Sequence, residues 1–219
     1  MKPNIYFLTL IILFTHTLTA QIEQGTHLDH SRISFGIKGS IGLMKYHINT
    51  STNQLKIDSP YSLYTALYGV MNYRIQDFIL LYTHTGLAFS DNTIDIYHND
   101  IHKSIPHTSF FLDTPLGIKF YGHRAINLRP TCEITIGHLY LFNEHIEDYE
   151  DITFNLCKNY VYLSSSIGLD IYTTHIKISP SIGYTYGLGI KSSHIPPDTS
   201  FHMTKNMYIS RMFFSIIFR

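Results

Sequence analysis

Alternation of apolar and polar positions at period two recurs along this chain and predicts eight β-strands. The first, 32–46, sets Ile33, Phe35, Ile37, Ile41 and Leu43 against Ser34, Gly36, Lys38, Ser40 and Gly42. The second, 60–73, is rich in Tyr and Leu and alternates poorly. The third, 78–90, carries Ile79, Leu81, Thr83, Thr85, Leu87 and Phe89 on one face. In the fourth, 109–121, Phe110, Leu112, Leu116, Ile118 and Phe120 oppose Asp113, Gly117 and Lys119. The fifth, 126–142, sets Leu128, Cys132, Ile134 and Ile136 against Arg129, Thr131, Glu133 and Thr135. The sixth, 158–171, and the seventh, 176–190, repeat the pattern, with Asp170 and Lys177 on their polar faces. The eighth, 207–219, puts Tyr208, Met212, Phe214, Ile216 and Phe218 on one face and Arg211 and Ser215 on the other.

The gaps between these runs alternate in length. Gaps 47–59, 91–108, 143–157 and 191–206 are long, whereas 74–77, 122–125 and 172–175 hold four residues each. Short turns at one end and long loops at the other are the layout of an up-and-down barrel in a bacterial outer membrane. The expected fold is all-β, an eight-stranded antiparallel up-and-down transmembrane β-barrel. A soluble lipocalin-type barrel would turn the apolar faces inward and its charges to water. The polar faces here are mostly Gly and Ser, and the chain is only 15% charged. That favours lipid outside, with closure satisfying every backbone group.

Residues 1–20 read as a cleaved signal peptide: Lys2, then apolar Ile5–Phe14, then a small residue at Ala20. The apolar run is too short to span a bilayer as a helix. Residues 21–219 are then the barrel domain, placed in the outer membrane and touching its lipid. The mature chain holds 15 basic and 16 acidic residues, which gives no case for nucleic acid. The 17 Tyr and 14 Phe suit strands and the aromatic girdles of a membrane barrel. Cys132 and Cys157 stand roughly 35 Å apart if their strands pair as a hairpin, so two unpaired thiols are expected. Pro115, Pro130 and Pro180 fall inside strands and predict bulges or loosened pairing near the short turns.

Eight strands enclose a lumen just wide enough for side chains to fill it. The inward set is Lys38, Asp113, Lys119, Arg129, Glu133, Asp170, Lys177 and Arg211. Buried charges must pair, so these are expected to form an ion-paired interior plug rather than a path for ions.

Other chemistry is thinly supported. Most histidines of the mature chain fall in gaps or ends: His27, His30, His47, His98, His102, His107, His145, His194 and His202. His98, His102 and His107 share one gap with Asp95 and Asp100, without a known metal-ligand spacing. The His107-Thr108-Ser109 triplet has the spacing of a His-x-Ser pair used by lipid-modifying barrels, with Glu144 or Asp148 as a third member. The acidic run Glu144–Asp151 reads as a solvated loop, and Asn49-Thr50-Ser51 is a glycosylation sequon in form only. The glycines of Gly183–Gly189 follow strand period with no helix after them, so they are no phosphate loop. No catalytic, cofactor-binding or metal residue is assigned.

Leu112-Asp113-Thr114-Pro115-Leu116-Gly117-Ile118-Lys119-Phe120 resembles the acidic-x-Pro-Leu-x-x-Lys-aromatic strand of PorT-like outer-membrane barrels. Similar to that family are also Gly36-Ile37-Lys38-Gly39, Asn127-Leu128-Arg129-Pro130 with Gly137, Ile167-Gly168-Leu169-Asp170, Ile178-Ser179-Pro180 and Tyr184 with Gly187-Leu188. Arg74–Phe78 with Thr85–Phe89 fits its second hairpin. Ser40, Gly42 and Gly183 depart from the pattern. The resemblance spans almost all of the mature chain. It implies a non-enzymatic outer-membrane component of type IX protein secretion and linked gliding motility. Other secretion-system proteins would be its partners, with no cofactor and no small-molecule substrate. A structural or adhesive surface barrel and a lipid-modifying enzyme are the alternative roles.

Overall fold

The computed structural model describes residues 31–50, 55–98, 101–142, 156–173, 175–188 and 204–219. The segment 1–20 expected to be a signal peptide, His27, His30, His145, His194, His202 and the acidic run Glu144–Asp151 lie outside these residues. The strands are β1 (Ile33–Thr50), β2 (Leu55–Asp58), β3 (Ser62–Gln76), β4 (Ile79–His98), β5 (Ile101–Tyr121), β6 (Leu128–Leu141), β7 (Asn159–Tyr172), β8 (Lys177–Gly187) and β9 (Thr204–Phe218).

Eight of them close a barrel. The ladder runs β4-β3-β1-β9-β8-β7-β6-β5, and β4 pairs with β5 to complete the ring. Every pairing is antiparallel. β2 stands outside the ring and pairs with the far end of β4, from Leu55↔His98 to Asp58↔Asp95. Pro60 lies between β2 and β3, where a residue without an N–H interrupts the ladder.

Alternation places the apolar positions outside. Phe35, Leu67, Leu116, Ile136, Ile167, Ile182 and Phe214 are all exposed. On β4 this outward apolar run covers Ile79 to Phe89, the eleven or so residues a tilted strand needs to cross a bilayer. Aromatic rings mark its two edges. At the long-loop edge Phe110 packs between Phe89 and Phe142 with centroids 4.6 and 4.9 Å apart. At the short-turn edge Phe35, Phe78, Phe120 and Phe218 are exposed. These are the two girdles of a membrane barrel.

The gap 91–108, expected to be a loop, is instead strand: β4 and β5 stay paired from Ser90↔Ser109 to His98↔Ile101. The hairpin projects past the girdle, and its pattern inverts there. Below Ser90 the odd positions of β4 face out and are apolar except for Thr83 and Thr85. Above it, Asp91, Thr93 and Asp95 take the outward positions, while Ile94 and Ile96 are buried inside. Outside the membrane, water solvates the exterior and the apolar side must turn inward.

The prolines produce no register shift. Pairing lapses between Thr83↔Leu116 and Gly86↔Asp113, around Pro115, and between Gly168↔Ser181 and Ile171↔Ile178, around Pro180. Thr83 Oγ1 donates to the Pro115 carbonyl across the first lapse at 2.9 Å. Around Pro130 the ladder with β7 is unbroken. Register shifts fall elsewhere, at Arg74/Gln76 and Asn49/Thr50. Cys132 is exposed on the outer face, and both cysteines are reduced thiols.

Candidate functional site: the filled lumen

The inward positions form three layers. The middle layer centres on Asp113 of β5. Its Oδ2 accepts from Arg211 Nη1 at 3.0 Å and from Tyr68 Oη at 3.0 Å, and its Oδ1 accepts from Tyr162 Oη at 2.6 Å. Arg211 Nη1 also donates to Tyr64 Oη at 2.9 Å. The guanidinium lies over the Tyr64 and Tyr162 rings, 5.0 and 4.5 Å from their centroids. Asp113 and Arg211 are 1% and 3% exposed. Hydroxyls and rings engage most of what the ion pair leaves open, while Arg211 Nε makes no hydrogen bond among the described residues.

Glycines let the tyrosines reach this centre. Tyr68 is paired across the ladder with Gly86, and Tyr162 with Gly137. A Cβ at Gly137 would collide with the Tyr162 ring, and one at Gly86 with Tyr68 and its backbone. Each ring therefore lies flat over the neighbouring strand and carries its hydroxyl to the centre of the lumen.

The layer nearer the short turns is a chain of charges. Lys119 Nζ sits 3.1 Å from Glu133 Oε1 and 3.0 Å from Asp170 Oδ1. Asp170 Oδ2 is 2.6 Å from Lys177 Nζ, which donates to Tyr172 Oη at 3.1 Å. Glu133 Oε2 accepts from Ser166 at 3.1 Å and from Tyr82 at 3.3 Å, and Tyr82 also bonds Thr135.

Two members of the expected plug stand apart. Lys38 is buried but has no carboxylate within 4.0 Å among the described residues. Its ammonium lies 5.6 and 5.5 Å from the Tyr68 and Phe213 ring centroids. Arg129 is half-buried at the rim, because its strand begins one residue earlier. It donates to the carbonyls of Gly122 at 3.1 Å and Asp77 at 2.6 Å, tying two short turns together.

The third layer, toward the long loops, is apolar rather than charged. Met44, Tyr46, Phe111, Leu139, Leu141, Tyr160, Met207 and Ile209 are buried together. Beneath the hairpin, Tyr46 Oη bonds Ser109 Oγ at 2.7 Å, and Asn92 Nδ2 donates to the same oxygen at 3.2 Å. Sequence reasoning did not place the buried tyrosines Tyr46, Tyr64, Tyr68, Tyr82, Tyr121, Tyr160, Tyr162 and Tyr172 in the lumen. For Tyr64, Tyr68, Tyr82 and Tyr162 a glycine across the ladder was the available signal.

The void beside Lys38, His84, Asp113 and Arg211 is about 30 Å³, room for a water or two and far from a channel. Histidine chemistry is not assembled either. Alternation sends His107 into the barrel and His102 outward, where it sits 3.5 Å from Asp95 Oδ1. They cannot share an ion, and Asp100 lies outside the described residues. No hydrogen bond joins His107 to Ser109 among the described residues. Ser109 is fully buried and engaged by Tyr46 and Asn92. Outside the membrane band, burial lowers the pKa of His107 and disfavours its charged form.

No family model matches the chain, and no curated protein matches it. Solved structures do. The outer membrane protein OprG from Pseudomonas aeruginosa is similar at a TM-score of 0.53 and 12% identity, covering 84% of this chain and 95% of that one. Neisserial surface protein A aligns over 85% of this chain and 98% of that one, at 12% identity and TM-score 0.48. The outer membrane protein AlkL aligns over 84% and 90%, at 11% identity and TM-score 0.42. The fold of this chain is that of the eight-stranded outer-membrane β-barrels.

Proposed function

We propose that this protein is a sealed outer-membrane barrel that acts as an anchored, non-enzymatic component of protein export. The filled lumen is the observation that carries this reading. Among the described residues, two hydrogen-bonded charged layers and an apolar layer leave a void of only about 30 Å³ at mid-barrel, which leaves no continuous path for diffusive transport through the lumen. Function then resides on the surfaces that the barrel anchors. The largest described one is the β4–β5 hairpin with β2 along its edge. The PorT-like motifs carried on β1 and β5–β8 support a role in type IX secretion, with other secretion-system proteins as partners.

The projecting hairpin equally favours a second reading, a structural or adhesive surface barrel. A deletion strain separates the two. Exported cargo accumulating in the periplasm, and released by the restored gene, is the expected result. Normal secretion with altered surface binding would replace the export reading with the adhesive one.

A further inference from the structure

The wall of the barrel has a notch at its short-turn end. β1 pairs with β3 from Ile33↔Tyr73, but its ladder with β9 begins only at Ile37↔Phe218. Among the described residues, 33–36 therefore have a ladder on one side and none on the other. A cavity of about 240 Å³ lies there, lined by Arg32, Ser34, Arg74, Tyr121, Lys177 and Arg219, with exposed Phe35 at its outer lip.

Four cations converge on this space. The buried carboxylates of the adjoining layer are already engaged: Glu133 holds Lys119, and Asp170 holds Lys119 and Lys177. The guanidinium of Arg219 lies beside Tyr121 and forms no ion pair with these carboxylates among the described residues. Its Nε and Nη2 are buried and make no hydrogen bond among the described residues. Its stem lies against Gly36, where a Cβ would come within 2.8 Å of Arg219 Cγ. Buried donors of native proteins are almost always paired, so two unpaired donors on one guanidinium edge facing a cavity mark a missing acceptor. The space is well beyond the roughly 10–15 Å³ that one water needs.

We propose that the notch is an oxyanion site that takes a phosphate group, with Arg219 as principal ligand and Arg32 and Arg74 around it. A guanidinium presents parallel donors that match two phosphate oxygens at once. The position favours phosphate over other anions: the notch opens between the short-turn girdle and water, at the level where headgroup phosphates lie. The group comes either from a lipid headgroup or from solution.

The test uses the mature chain folded in an uncharged detergent, titrated with inorganic phosphate and followed by ³¹P NMR at low ionic strength. A parallel arm offers phosphatidylglycerol in mixed micelles, read by native mass spectrometry. Saturable binding of either probe is expected, weakened at least tenfold by Arg219→Gln and severalfold by Arg32→Gln. Arg32 precedes every strand, so that variant keeps the test valid if the first fails to fold, as judged by circular dichroism. Phosphatidylglycerol retained against excess inorganic phosphate assigns the lipid source; inorganic phosphate bound alone assigns the soluble one. Either result supports the site. No saturable binding of either probe, binding unchanged in both variants, or acetate binding as tightly as phosphate would overturn it.

Discussion

Asp113 is the residue on which the lumen turns. One carboxylate gathers a guanidinium from β9 and hydroxyls from β3 and β7. Removing its charge strands Arg211 in the barrel interior without its carboxylate partner. Asp113→Asn is expected to destabilise the barrel by about 3–5 kcal/mol in urea unfolding in lipid, the usual cost of breaking one side of a buried pair. A loss below about 1 kcal/mol would show that the layer is solvated. Ile126 carries strain of another kind. It is the one non-glycine residue with positive φ (57°) among the described residues, in the short turn before β6. A β-branched side chain is costly there, so Ile126→Asn should stabilise the protein by about 1 kcal/mol in the same assay. The charged lumen residues were legible in the sequence, because a Lys or Asp at inward parity has no other place to go. The tyrosines were not, because Tyr reads equally as a lipid-facing strand residue, and only its partner across the ladder decides.

At the scale of elements, the lumen is built from cross-strand pairs of unequal size. Tyr68 opposite Gly86, Tyr82 opposite Gly117 and Tyr162 opposite Gly137 fill the interior by laying rings over bare backbone. Gly137→Ala should displace the Tyr162 ring from Asp113 and cost about 1–3 kcal/mol, with the Tyr162 ring resonances shifted in NMR spectra. Unshifted resonances would refute the pairing. The same alternation explains why the gap 91–108 was misjudged. Its apolar phase flips near Ser90, from outward Leu87 and Phe89 to inward Ile94 and Ile96. A flip in phase looks like the end of a strand, although the backbone continues unbroken and only its surroundings change. On the edge of that hairpin, β2 is tethered by Asp58, 3.1 Å from Lys45 Nζ. The Lys45 ammonium holds the Asp58 carboxyl below its usual pKa. The pair therefore stabilises β2 fully above the ordinary carboxylate range, and its contribution is lost as pH falls through the depressed value. Half-exposed, it contributes under about 1 kcal/mol. Protection of the Ile57 amide, corrected for the intrinsic pH dependence of exchange, should fall between pH 6 and pH 3, and Asp58→Asn should flatten that change.

The whole molecule is inverted about its girdle. Within the apolar band it is greasy outside and charged inside; beyond the band the β4–β5 hairpin is polar outside and apolar inside. Strand count, short turns and the lipid-facing pattern were readable because each rests on a long periodic signal. The notch at Arg219 was not, because it arises from the stagger between β1 and β9, a property of closure rather than of either strand. Everything proposed here depends on lipid covering the outward face. Cys132 reports on that face directly: it is exposed, outward and set among Phe120, Ile134 and Ile167. A spin label at Cys132, with Cys157→Ser, in a lipid nanodisc should be relaxed by oxygen, which partitions into hydrocarbon, and untouched by a water-soluble nickel chelate. Strong relaxation by the nickel chelate would put water against that face and contradict the account.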